Sequence, residues 1–226
     1  TSNTGSAGTL SNTVYAGTTS GTTTNTGGTN LVTLSQASLT ITADSASKIY
    51  GVTNTYGSGS TAFTSSGLKN SQTIGSVTIT DTNSGGVATA NAGGSYALTP
   101  SLATGGTFNI ANYSVSYTAG ALTITPAPLG ISLSAIYNGT SSFSSSATTN
   151  ASSGTVTTGG TLKVSGLIGS ETVTGVTISD PNVATVNKYI TAVSGASGFV
   201  ASNYVFYLTS NTGSAGTLSN TVYAGT

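Results

Sequence analysis

Leu122-Thr123-Ile124-Thr125-Pro126-Ala127-Pro128-Leu129-Gly130-Ile131-Ser132-Leu133 reads as two strands on either side of a break. Leu122 and Ile124, then Leu129, Ile131 and Leu133, stand two apart with Thr, Gly or Ser between them. That is the period of a strand with one face buried. Proline has no N–H to give to a sheet ladder, so Thr125-Pro126-Ala127-Pro128 reads as a short stiff hinge and a domain boundary. The stretch predicts an all-β chain built in two units.

The same alternation recurs on both sides, at Leu39 and Ile41, Val77 and Ile79, Val115 and Tyr117, and Leu162 and Val164. No window of eleven residues carries the i, i+3, i+4, i+7 apolar spacing of a helix without Gly or a β-branched run breaking it. Gly pairs at 85–86, 93–94, 105–106 and 159–160 fall between the strands, where hairpins and short loops need them.

Two duplications organise the chain. Thr1–Thr18 returns unchanged as Thr209–Thr226, a period of 208 residues (209 minus 1). A period that long holds whole domains, and it predicts a tandem array that continues past both ends. Within the period, Ser66-Gly67-Leu68 matches Ser165-Gly166-Leu167, and Val77-Thr78-Ile79-Thr80-Asp81 matches Val176-Thr177-Ile178-Ser179-Asp180, both at an offset of 99 (180 minus 81). Ile49-Tyr50-Gly51 pairs with Ile136-Tyr137-Asn138-Gly139, and Asn112-Tyr113 with Asn203-Tyr204. Strands that correspond while loops vary in length describe two related sandwiches.

Composition removes several functions. The chain has 226 residues, 4% charged, a formal net charge of zero and no His, Cys, Met or Trp. Four lysines (Lys48, Lys69, Lys163, Lys188) give no basic patch to displace counterions, which argues against a nucleic-acid partner. No run approaches the roughly 20 apolar residues of a membrane-spanning helix. Asp44, Asp81, Glu171 and Asp180 are scattered and have no His or Cys to work with, so no enzyme, cofactor or metal site is expected. Asp81 and Asp180 read as turn-forming acids after a strand. The lysines read as solvated, against an internal Lys–Asn cross-link. Tyr113 and Tyr204 read as closing the end of a core strand with the hydroxyl on backbone.

Residues 1–37, rich in Gly, Ser, Thr and Asn, read as linker or as added edge strands. Thr13-Val14-Tyr15 and Leu31-Val32-Thr33-Leu34 are β-rich and could pair as edge strands. Leu10, Val14, Tyr15, Leu31 and Leu34 are the candidate assembly segment, a strand offered to a neighbour's sheet. With little charge to keep copies apart, self-association is the expected partnership.

In order along the chain, Leu39-Thr40-Ile41-Thr42-Ala43, Lys48-Ile49-Tyr50-Gly51, Ser66-Gly67-Leu68, Asn112-Tyr113-Ser114-Val115 and Leu122-Thr123-Ile124-Thr125-Pro126-Ala127 resemble the MBG domain, an immunoglobulin-like repeat. Tyr137-Asn138-Gly139, Val164-Ser165-Gly166-Leu167, Glu171 and Asn203-Tyr204-Val205 resemble the YDG domain, with Asn138 in place of the Asp that names it. Gln72 stands where Glu171 stands in the second unit. The resemblance implies two tandem immunoglobulin-like β-sandwich domains, at 38–126 and 127–208, with 209–226 opening the next repeat. It implies a stalk or fibre of a secreted bacterial surface protein, in adhesion or biofilm matrix, with no catalytic residues. Polysaccharide is the other partner class expected, held on exposed Tyr and Asn.

Overall fold

The structure, a computed structural model, describes residues 10–16, 19–25, 35–185 and 188–208. Its described residues are mostly β-strand, with two short 3-10 turns at Ile110–Asn112 and Ala201–Asn203. The all-β expectation holds.

β1 (Leu10–Ala16) and β2 (Thr19–Asn25) form an antiparallel two-stranded sheet. Leu10, Val14 and Tyr15 thus lie in a strand, and Tyr15 stands opposite Ser20. β1 pairs with β2, and Leu31 and Leu34, the rest of the candidate assembly segment, lie outside the described residues.

The next seven strands share one core. β3 (Ala37–Ala43), β5 (Phe63–Ser66) and β8 (Tyr113–Thr118) make one sheet, ordered β5-β3-β8. β4 (Ala46–Ile49), β6 (Ile74–Thr82), β7 (Tyr96–Gly106) and β9 (Gly120–Thr125) make the other, ordered β4-β9-β7-β6. The alternation read from sequence is the alternation of burial: Leu39, Ile41, Val77, Ile79 and Leu122 point inward and meet Leu98 and Tyr113. Tyr117 departs from it and is exposed. Pro100 sits inside β7 opposite Ile79. It is tolerated because β9 pairs only with Tyr96–Leu98, leaving the other edge of Pro100 without a ladder.

The second group repeats the scheme with changes. β10 (Ala127–Ala135), β12 (Ser152–Thr155), β13 (Gly160–Ser165) and β16 (Tyr204–Leu208) are ordered β12-β13-β10-β16. β11 (Ser142–Thr148), β14 (Thr172–Ile178) and β15 (Ile190–Ala196) are ordered β11-β14-β15. Leu129, Ile131, Leu162, Val164, Val173 and Val176 fill the space between. In both groups a Gly of Ser-Gly-Leu, at positive φ, presses against the backbone of the opening strand. A Cβ on Gly67 would lie 2.3 Å from the Ser38 carbonyl oxygen, and one on Gly166 2.4 Å from that of Pro128.

The predicted hinge is shorter than its sequence suggests. Pro128 is inside β10, opposite Val205 of the parallel neighbour, while β13 pairs only from Gly130 onward. Between β9 and β10 only Pro126 lies outside a strand. The buried cluster of the second group also takes in Tyr50, Ala90 and Ile124 from the first.

Candidate functional site

The most elaborate polar arrangement among the described residues lies where these two groups meet. Glu171, 5% exposed, ends the Ser-Gly-Leu loop of the second group, just before β14. Its Oε1 accepts from the Tyr50 hydroxyl at 2.6 Å, across 121 residues of chain, and its Oε2 accepts from the Tyr204 hydroxyl. No lysine reaches it. Two phenols supply the stabilisation that a buried carboxylate requires.

Each phenol is held by the strand next to it. Tyr50 follows β4, and its backbone N–H donates to the Thr125 carbonyl at 2.9 Å, at the end of β9. Tyr204 opens β16, and its hydroxyl also accepts from the Ile168 N–H at 3.0 Å. The two rings meet edge to face with centroids 5.4 Å apart, and Phe199 stacks on Tyr204 at 5.5 Å. Burial first, then the Glu171 hydrogen bond and charge, push the Tyr50 hydroxyl up to about 12. The Tyr204 hydroxyl is pushed up for the same reasons. Both phenols therefore remain donors through the neutral range.

Around this centre the backbone fits closely. Gly51 has φ +89, and a Cβ there would lie 2.4 Å from Ile168 Cδ1. Asn203, fully buried, accepts from the Ala92 N–H at 2.8 Å and donates through Nδ2 to Asn91 Oδ1 at 2.9 Å. The loop between β6 and β7 is thereby tied to the second group. Lys48 secures the same loop from beneath: its ammonium donates to the carbonyls of Val52 at 2.8 Å and Gly86 at 3.3 Å, and to that of Val87. Lys48 is buried, contrary to the expectation of a solvated lysine, because backbone carbonyls replace its water. Burial lowers its pKa, and the charge of Asp81 opposes that shift.

The remaining residues singled out in the sequence fall into structural roles. Asp81 accepts from the N–H groups of Gly85 at 2.9 Å and Gly86 at 2.6 Å. Asp180 accepts from the Asn182 N–H at 2.8 Å and the Thr185 hydroxyl at 2.7 Å, and these bonds hold its carboxyl below the usual range. Both are the turn acids expected. Tyr113 repeats the role of Tyr204: it accepts from the Lys69 N–H at 2.9 Å and donates to Gln72 Oε1 at 2.5 Å. Glu171 carried no site reading in the sequence. Its equivalence to Gln72, beside a Tyr that recurs in both units, was the signal available.

The arrangement has phenols, amides and one carboxylate fully engaged with each other, and nothing in it points a nucleophile at a cleft. It binds one part of the chain to the other. Comparison with known proteins bears on the first group of strands. Residues 39–123 match the family described as MBG domain (YGX type). No curated protein and no solved structure matches the chain. MBG domains occur in bacterial surface and repeat proteins and are structural, with no enzyme activity known for the family.

Proposed function

We propose that this chain, with its MBG domain at residues 39–123 and a second β unit joined to it, is a structural repeat of a secreted bacterial surface protein. It spans distance as part of a stalk or extracellular fibre, as two tandem immunoglobulin-like sandwiches, the second of the YDG kind. One observation carries the reading. The Tyr50–Glu171–Tyr204 contact makes the joint between the units a buried, hydrogen-bonded interface, which is what a spacer needs if it is to keep its direction. The 208-residue period would repeat that geometry along an array.

The test is negative-stain microscopy and light scattering on the full chain and on a chain of two consecutive periods. Extended particles that lengthen by a constant step with each period support the reading. Particles whose two units adopt all relative angles would overturn it. A second reading, a polysaccharide-binding adhesin module, is favoured by Tyr117, Tyr137 and Tyr189, which present rings to solvent. A glycan array read against a chain with Tyr137 and Tyr189 changed to Ser decides it.

A further inference from the structure

Among the described residues, the second unit has an open seam where the first is closed. In the first unit β9 follows β8 after the single residue Ala119 and lies between β4, which it pairs in parallel, and the start of β7, which it pairs antiparallel. It carries Leu122 and Ile124 into the core, each 2% exposed. In the second unit β16 corresponds to β8, β15 to β7, and the end of β10 to β4. Yet among the described residues β15 is paired on one side only, by β14, and no strand lies between it and the end of β10.

A cavity of about 250 Å³ occupies that place, lined by Leu133, Ala135 and Tyr137 on one side and by Ile178, Tyr189 and Ile190 on the other. Ile136, Tyr137, Val183 and Tyr189 leave it exposed to solvent. The strand path tells the same story. β4 crosses to the second sheet of its unit by pairing with β9, whereas Ser134 and Ala135 stay on the first, opposite Thr161 and Gly160. Among the described residues no strand lies beside them to draw them across.

We infer that the seam is closed by the segment beginning Gly216-Thr217-Leu218-Ser219 of the same chain. Ala215-Gly216-Thr217-Leu218-Ser219 repeats the chemistry of Ala119-Gly120-Ala121-Leu122-Thr123: a small residue, Gly, a small residue, Leu, a hydroxyl. It follows β16 as the other follows β8, and the seven residues between Leu208 and Ala215's successor, 209–215, reach up to about 23 Å when extended. An identical sequence at Leu10–Ala16 is a β-strand in this protein. In the seam Leu218 takes the place of Leu122 and fills the cavity, and Asn220 takes that of Ile124. Backbone pairing along the free edge of β15 supplies the rest of the recognition. The inference goes beyond the stalk reading and does not rest on it, since one isolated chain closes its seam or leaves it open.

The experiment compares hydrogen exchange in the full chain with that in Leu218→Asp and Leu10→Asp, the same chemical change at the two copies of one sequence. Leu218→Asp speeds exchange across Ile190–Ala196 by about tenfold or more, while Leu10→Asp leaves it unchanged. Equal effects from both, or an effect of Leu10→Asp alone, overturn the proposal, the latter in favour of a strand given by another copy. The chain has no cysteine, so a second measurement is clean. Ser134→Cys with Ser219→Cys, the counterparts of the paired Ser47 and Thr123, forms a disulfide within one chain. A disulfide only between chains, only with Ser11→Cys, or not at all overturns the proposal whether or not Leu218→Asp folds.

Discussion

Tyr50 and Glu171, 121 residues apart in sequence, are joined by a buried 2.6 Å hydrogen bond that crosses from one unit to the other. Tyr204 supplies the second phenol from within the second unit, so the carboxylate belongs to both sides of the joint.

Tyr50→Phe keeps the ring against Tyr204 and removes only the hydroxyl. Glu171 then retains one phenol donor, and the expected loss is about 1.5–3 kcal/mol, the range for a hydrogen bond to a charged group. Urea unfolding of the full chain measures it, and a midpoint equal to that of the unchanged chain would refute the role given to this bond.

Glu171→Gln leaves one amide oxygen where two carboxylate oxygens accepted from two phenols, whereas Gln72 accepts from Tyr113 alone. One phenol loses its acceptor, and the expected cost is about 1–3 kcal/mol, that of one unsatisfied buried donor. Glu171→Leu instead strands two buried phenols and costs about 2–6 kcal/mol, at 1–3 for each unsatisfied donor. Unfolding curves that rank Leu above Gln would contradict the assignment.

Gly51→Ala meets two obstacles: the φ of +89 and the Ile168 side chain 2.4 Å from the new Cβ. A loss of about 1–3 kcal/mol is expected from the backbone strain alone. Adding Ile168→Ala relieves the clash and not the strain, so a double-mutant cycle shows partial recovery measured against Ile168→Ala. Strict additivity would mean that the two residues do not meet.

The raised Tyr50 hydroxyl makes the joint sensitive to base. The folded state holds this proton up to about 12, whereas in the unfolded chain it leaves near the ordinary value of 10.0. Above about pH 10 the unfolded chain binds fewer protons than the folded one, so this stabilisation is complete below that pH and is lost as the pH rises through about 12. Unfolding midpoints across that window fall more steeply for the unchanged chain than for Tyr50→Phe.

Much of this was legible in the chain, for a physical reason. Period-two alternation is a local property of a half-buried strand, so Leu39 with Ile41 and Leu129 with Ile131 announced their strands. Turn chemistry is local too, and Asp81 and Asp180 serve as read. What escaped depends on distant neighbours. Lys48 looks solvated until the loop at Gly86 and Val87 folds over it and offers carbonyls. Glu171 looks like any surface acid until Tyr50 arrives from the other unit. Pro128 was assigned to the hinge, and only the absence of a β13 partner before Gly130 shows why a strand can hold it.

The parallel pairing of β4 with β9 has a mechanical consequence. The first unit opens at the start of β3, which leads into β4, and ends at Thr125 of β9. Tension applied along the chain therefore pulls β4 backward and β9 forward, and these two strands lie side by side over Ala46–Ile49 and Leu122–Thr125. Their hydrogen bonds are strained together, in shear, and do not peel apart one at a time as a hairpin's would. Unfolding under force is governed by the barrier to that concerted rupture. A segment of this build resists a sharp tug better than its equilibrium stability would suggest.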